Sequence, residues 1–265
     1  MLRTYGPYPP AGCSRGKESV YRLRGSTEGK MKFKAVIFDM DGTVLNTVDD
    51  LCDSLNYAME QFGHKCDYTP EEVKFFAGGG VGTTVVRALA MEKGAKLEDL
   101  EFIGVDGAPP EDPAAREILR VFRAWYSDHC NIKTGPYDGI PELITQLRSA
   151  GIRTAVVSNK MDAAVQVLAQ EQFPGLFDVC VGQRPGIPHK PAPDMVNEAM
   201  DALGIPDRAQ AVYIGDSEVD MQTAANSGLD CICVAWGFRG RKFLEAHGAG
   251  IIVDSPEETA RLLLT

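Results

Sequence analysis

Six short apolar runs punctuate this chain, at 33–38, 152–157, 178–182, 211–214, 231–235 and 250–253, and helical patterns separate or follow them at about 140–150, 162–171, 193–203, 217–227, 240–247 and 256–264. That alternation constrains the fold more than any other feature. Parallel strands cannot be joined by a tight turn and need a crossover, usually a helix. A strand covered on both faces reads as a continuous apolar run rather than an alternating one. The pattern therefore predicts the α/β class, a parallel sheet with helices on both faces. Gly151 and Gly204 stand just after two of the predicted helices, where a glycine stops a helix.

Residues 47–133 interrupt the alternation and contain no predicted strand. Val48, Leu51, Cys52, Leu55, Met59 and Phe62 recur at helical spacing up to Gly63. Further helices are expected at Pro70–Phe76, Thr83–Lys93 and Asp112–His129, with Phe122 and Trp125 as core residues of the last. An all-helical insertion thus splits the α/β core into 31–46 and 134–265, with hinges near Asn46–Val48 and Ile132–Gly135. Residues 1–30 carry Arg3, Arg15, Lys17, Arg22, Arg24 and Lys30 among Gly, Pro and Ser, without apolar periodicity or a signal-peptide core. They are expected to be a disordered basic extension before a folded chain that starts at Met31.

The net charge of −10 argues against binding nucleic-acid backbones. No apolar run approaches the roughly 18–20 residues that span a bilayer. Seven cysteines, scattered and without a CxxC pair, read as reduced packing residues of a cytoplasmic protein. Cys231 and Cys233 share one face of a predicted strand.

Four segments at the ends of these elements carry reactive groups. Asp39-Met40-Asp41-Gly42-Thr43 follows the first strand. In open α/β sheets ligands bind outside the carboxyl ends of strands. One carboxylate there can attack phosphorus, and a second can protonate a leaving oxygen and later activate water. Concentrated carboxylates call for a cation, and hard oxygen ligands suit Mg²⁺. Taken alone, Asp-x-Asp-Gly is equally well a turn after a strand. Ser158-Asn159 ends a second strand and offers a hydroxyl and a backbone N–H to a phosphate, or simply caps the next helix. Lys190 sits between His189 and Pro191 in a Pro-rich loop, a point charge for a phosphate or a nucleophilic Asp. Gly215-Asp216 ends a further strand, with Asp220 in the first turn of the next helix; the two acids either converge on a cation or one orients the other.

In this order the four segments resemble the four motifs of the haloacid-dehalogenase-like superfamily of phosphatases, over roughly Lys32 to Leu264. The resemblance implies a Rossmann-like core with a helical cap that closes over the site. It implies Asp39 as nucleophile and Asp41 as acid and base. Mg²⁺ would be held by Asp39, Asp41 through its carbonyl, and Asp216, with Asp220 close by. Ser158, Asn159 and Lys190 would hold the phosphoryl group, and Thr43 would orient the loop or contact the phosphoryl. Gly78-Gly79-Gly80-Val81-Gly82 precedes a helix and is either a flexible turn or an anion site; in similar phosphatases the matching loop meets the rest of the substrate, which points to Gly79 and Gly80.

Asp41 disfavours the dehalogenases, and a first cap helix without His, Asp49–Glu60, disfavours the sugar-phosphate mutases. The Asp-Gly-Thr-Val-Leu-Asn-Thr segment, the glycine loop and Trp236-Gly-Phe-Arg239 most resemble phosphoglycolate phosphatases. The expected activity is therefore Mg²⁺-dependent hydrolysis of a small phosphorylated metabolite, 2-phosphoglycolate foremost. Pyrophosphatase, nucleotide phosphatase, sugar-phosphate phosphatase, mutase and non-catalytic binding readings are the alternatives. The expected state is a monomer or homodimer with no nucleic-acid or membrane partner.

Overall fold

The computed structural model describes residues 33–104 and 110–265. The extension at 1–30 lies outside the described residues. In chain order the core begins with β1 (Ala35–Phe38) and β2 (Leu45–Asn46). The insertion follows with α1 (Val48–Glu60), α2 (Pro70–Phe76), α3 (Val81–Glu92), a 3₁₀ turn at Leu97–Phe102 and α4 (Pro113–His129). The core resumes with β3 (Gly135–Pro136), α5 (Ile140–Ser149), β4 (Arg153–Met161), α6 (Asp162–Gln172), β5 (Val179–Gln183) and α7 (Asp194–Leu203). It closes with β6 (Ala211–Gly215), α8 (Glu218–Ser227), β7 (Asp230–Val234), α9 (Gly240–Ala246), β8 (Ile252–Val253) and α10 (Pro256–Leu264).

Six strands form one parallel sheet in the order β5-β4-β1-β6-β7-β8. β1 is its centre, with Ala35 level with both Arg153 and Ala211. The chain fills the sheet on one side of β1 through β4 and β5, then crosses to the other side at β6. The switch falls at β1, so a crevice opens beyond its carboxyl end. Side chains of β1 alternate between faces. Val36 and Phe38 join a cluster with Ile140, Leu143, Ile144, Leu147, Val165 and Leu168 of α5 and α6. Ala35 and Ile37 join Met195, Val196, Ala199 and Met200 of α7 on the other face.

The insertion packs as helices around Leu55, Met59, Phe76, Ile118, Phe122 and Tyr126, continuous with the first core face. Phe122 is fully buried, as expected. Trp125 stacks between Tyr57, at 3.7 Å, and His129, at 3.8 Å, and is only partly covered.

Three details differ from the sequence reading. β4 continues to Met161 through a register irregularity after Val157, so Ser158 and Asn159 lie within the strand's last turn of pleat rather than beyond it. α3 begins at Val81, which draws the end of the glycine run into a helix. The two connections expected to be hinges are tied together: β2 and β3 pair antiparallel, Leu45 with Pro136 and Asn46 with Gly135. Asp50, buried in the first turn of α1, reinforces that junction by accepting from the backbone N–H groups of Ile132 at 3.1 Å, Lys133 at 3.0 Å and Thr134 at 2.9 Å. The described cysteines are all unbridged.

Candidate active site

β1 delivers Asp39 to the crevice, and the chain then turns sharply. The Met40 carbonyl accepts from the N–H groups of Thr43, Val44 and Leu45. Gly42 has φ of 82°, and a Cβ there would lie 2.4 Å from Asp216 Oδ2. Only glycine satisfies both demands. Asp39 Oδ1 accepts from its neighbour's N–H, Met40, at 2.6 Å and pairs with Lys190 Nζ at 2.9 Å.

Asp216 comes from the end of β6 and Asp220 from the first turn of α8. Asp216 Oδ2 accepts from Phe238 N at 2.6 Å, and Thr43 Oγ1 reaches Oδ1 at 3.5 Å. Asp220 Oδ2 accepts from Asp216 N, Ser217 N and Ser217 Oγ, while Oδ1 accepts from Lys190 Nζ at 2.9 Å and Tyr213 Oη at 3.3 Å. The Asp220 carboxylate is thus fully engaged by its own surroundings and fixes both Lys190 and the Asp216 backbone.

Asp39, Asp216 and Asp220 are all buried, and one ligand atom from each lies within 4.8 Å of the others. Burial pushes the Asp39 carboxyl up to about 7, against the pull of Lys190 and with the repulsion of Asp220 and Asp41. Burial also raises Asp216 well above the usual carboxylate range, with Asp220 and Asp39 adding to the rise. Burial alone would lower Lys190, yet Asp220 and Asp39 hold its ammonium well above the ordinary lysine range. One ammonium does not balance three crowded carboxylates. The surplus negative charge and the all-oxygen donor set fit a hard divalent cation.

Asn159 fixes the lysine loop from β4. Its side-chain oxygen accepts from Lys190 N at 2.7 Å, and its side-chain nitrogen donates to Lys190 O at 3.2 Å and to Gly78 O at 3.2 Å. Ser158 is buried beside it. A small cavity of about 30 Å³ lies here, lined by Asp39, Asp41, Ser158, Asn159 and Lys160 from the core and by Gly78, Gly80, Val81 and Thr84 from the insertion. The expected residues Asp39, Asp41, Ser158, Asn159 and Gly80 therefore meet at one space. Lys190, Asp216 and Asp220 stand behind Asp39. Thr43 faces Asp216 and Gly79 packs against Thr83, and neither is on the cavity wall. His189 makes loop contact, with its ring 3.5 Å from the position of a Gly80 Cβ.

Lys160 has no role in the sequence reading, and Arg239 enters it only as part of a resembling segment. Lys160 Nζ, buried, pairs with Asp41 Oδ1 at 2.8 Å and bonds the hydroxyl of Tyr126 on α4. Arg239 forms a buried ion pair with Glu218 at 3.0 Å beside the Asp216 loop. Lys160 directly follows Ser158 and Asn159, and all three line the cavity once β4 is known to continue.

A carboxylate pair at a strand end, a buried lysine and a polar cradle on the neighbouring strand are the groups that hydrolysis of a phosphoric monoester requires. The chain belongs to the haloacid dehalogenase-like hydrolase family, whose model matches residues 36–234. It is 30% identical over 236 residues to the N-acetylmuramic acid 6-phosphate phosphatase of Pseudomonas aeruginosa, covering 88% of this chain and 96% of the relative. It is 29% identical over 206 residues to the phosphoglycolate phosphatase of Aquifex aeolicus, covering 77% and 86%. A solved structure from Lactobacillus delbrueckii subsp. bulgaricus, of a protein inferred to be a phosphoglycolate phosphatase, shares 51% identity with a TM-score of 0.84 over 88% of this chain and 99% of that one. The protein is accordingly a phosphoric monoester hydrolase. No helix among the described residues is long and apolar enough to cross a membrane.

Proposed function

We propose that this enzyme is a Mg²⁺-dependent phosphatase that works through an aspartyl-phosphate, with 2-phosphoglycolate as its main substrate. Asp39, Asp216 and the Asp41 carbonyl would hold the cation, with Asp220 orienting them. When bound, Mg²⁺ neutralises charge on the transferring phosphoryl group.

Asp39 Oδ1 is held by Lys190 and Met40 N, which leaves Oδ2 to attack phosphorus. The new bond is Asp39 Oδ2–P, and the bond that breaks is P–O of the ester. Asp41 gives its proton to the departing alkoxide. It then takes a proton from water, which attacks the same phosphorus, frees the Asp39 carboxylate and releases inorganic phosphate. Ser158, the Asn159 backbone and Lys190 hold the phosphoryl oxygens, and Thr43 holds the Asp216 side of the loop. Such transfer needs positioning and charge neutralisation more than covalent help. The helical insertion serves as a cap that keeps bulk water from the acyl-phosphate.

The observation that carries the substrate reading is the cavity. Its roof is Gly78, Gly80 and Val81, which share the cavity with Asp39 and Asp41. Such a roof suits a leaving group as small as glycolate, and the first turn of α3 offers backbone N–H groups to its carboxylate. We assign the enzyme to the cytoplasm, as a monomer or homodimer without nucleic-acid or membrane partners.

The test is phosphate release with Mg²⁺ across 2-phosphoglycolate, N-acetylmuramic acid 6-phosphate, pyrophosphate, nucleoside monophosphates and hexose phosphates. A clear preference for 2-phosphoglycolate is expected. Preference for a sugar phosphate would overturn the substrate assignment and keep the mechanism. Wild-type turnover by Asp39→Asn would remove the intermediate.

A further inference from the structure

The glycine loop that roofs the cavity is fastened by the core rather than by the insertion alone. Arg239 lies in the segment after β7, and its side chain is 3% exposed. Its guanidinium pairs twice with Glu218 of α8, Nε to Oε2 at 3.0 Å and Nη2 to Oε1 at 3.2 Å. The same group crosses to the insertion, where Nη1 donates to Lys74 O and Nη2 donates to Ala77 O at 3.0 Å. Those carbonyls belong to the last turn of α2 and the residue after it. A helix ends with carbonyls that lack partners within the helix, and the negative end of the helix dipole attracts a cation there.

Arg87 of α3 takes the neighbouring carbonyls, Phe75 O at 3.0 Å and Ala77 O at 3.3 Å. Gly78 follows at once, and its own carbonyl accepts from Asn159 of β4 at 3.2 Å. The entrance to the loop is therefore gripped on both sides of the Ala77–Gly78 bond by core residues, Arg239 and Asn159. The segment that bears Arg239 also touches the reaction centre. Phe238 N donates to Asp216 Oδ2 at 2.6 Å, and Trp236 Nε1 donates to Thr43 O at 3.0 Å.

We propose that Arg239 is a positioning residue that sets the height of the Gly78–Gly80 roof over Asp39 and so determines which phosphate esters the site prefers. This rests on the reading that the roof meets the part of the substrate beyond the phosphate. A planar guanidinium anchored by Glu218 can serve two helix-end carbonyls at once, which a lysine ammonium cannot reproduce with the same geometry. Loss of the clamp lets the roof rise, and misplacement of about 1 Å in a positioning group is enough to cost a large factor in rate.

The experiment compares kcat/KM for 2-phosphoglycolate and for a bulky aryl phosphate in the wild type, Arg239→Met and the double variant Glu218→Gln/Arg239→Gln. The double variant removes both charges of the Arg239–Glu218 pair and guards against misfolding of the single one. Amide hydrogen exchange is followed over residues 70–84 in the same proteins. The preference for the small ester over the aryl ester is expected to fall about 10-fold, with exchange at 78–82 accelerated. An unchanged ratio, whatever the overall loss, or unchanged exchange in this stretch would overturn the proposal. If the wild type prefers a different small ester, the substrate reading fails on its own; the ratio is then taken with that ester, and the Arg239 assignment still stands or falls by it.

Discussion

Lys160 of β4 sets its ammonium 2.8 Å from Asp41 Oδ1, across 119 residues of sequence, and its other hydrogen-bond partner is the Tyr126 hydroxyl on the last helix of the insertion. A buried ammonium needs such partners. This one spends them on the residue assigned as acid and base.

Replacing Lys160 with Met should therefore slow turnover by more than it weakens substrate binding. The side chain keeps its volume, but Asp41 loses the contact that aims it. Positioned acid–base groups are worth roughly 10²–10⁴-fold, and a loss of about 10-fold to 100-fold in kcat is expected, with KM shifting less. Steady-state kinetics at saturating Mg²⁺ check this. A kcat within twofold of wild type would mean that Asp41 needs no such support.

The crowded carboxylates predict a metal-dependent stability. Ligand that binds only the folded chain stabilises it by about 2.7 kcal/mol at a hundredfold excess over Kd. For a chain of this size that is a rise in Tm of roughly 5–10 °C. Calorimetry with Mg²⁺, then with excess chelator, should show the rise and its reversal. Asp216→Asn should abolish most of it. Equal shifts in wild type and variant would place the cation elsewhere.

Asp50 makes a prediction about folding rather than chemistry. Its carboxylate satisfies three successive backbone N–H groups at the return from the insertion. Asp50→Ala leaves them without that acceptor, at a cost of about 2–4 kcal/mol. Urea denaturation should show a lower midpoint at an unchanged slope. Stability within about 0.5 kcal/mol of wild type would show that water replaces the carboxylate without loss.

The sheet is legible in the sequence because parallel strands buried on both faces leave unbroken apolar runs, and β1, β5, β6 and β7 fall within about two residues of where those runs lie. Asp39, Asp41 and Asp216 are legible because each lies within three residues of the end of such a run. The pairing of β2 with β3 is not, since two-residue strands carry no periodicity. The polar end of β4 hides for a related reason: Ser158, Asn159 and Lys160 are all buried, yet their composition reads as loop. The Arg239 clamp depends on which helix end arrives beside it, a tertiary fact with no local signature.

The short β2–β3 ladder has a consequence for how such a chain can change. Because the outgoing and returning strands are zipped to each other, the whole stretch between them is, to the core, a hairpin with an elaborate tip. Lengthening, shortening or rewriting that tip moves neither end of the zipper. On the reading that the insertion meets the substrate, substrate range can then drift in one part of the gene while the phosphate chemistry stays constant in another, with Arg239, Asn159 and Lys160 among the points where the two histories must agree.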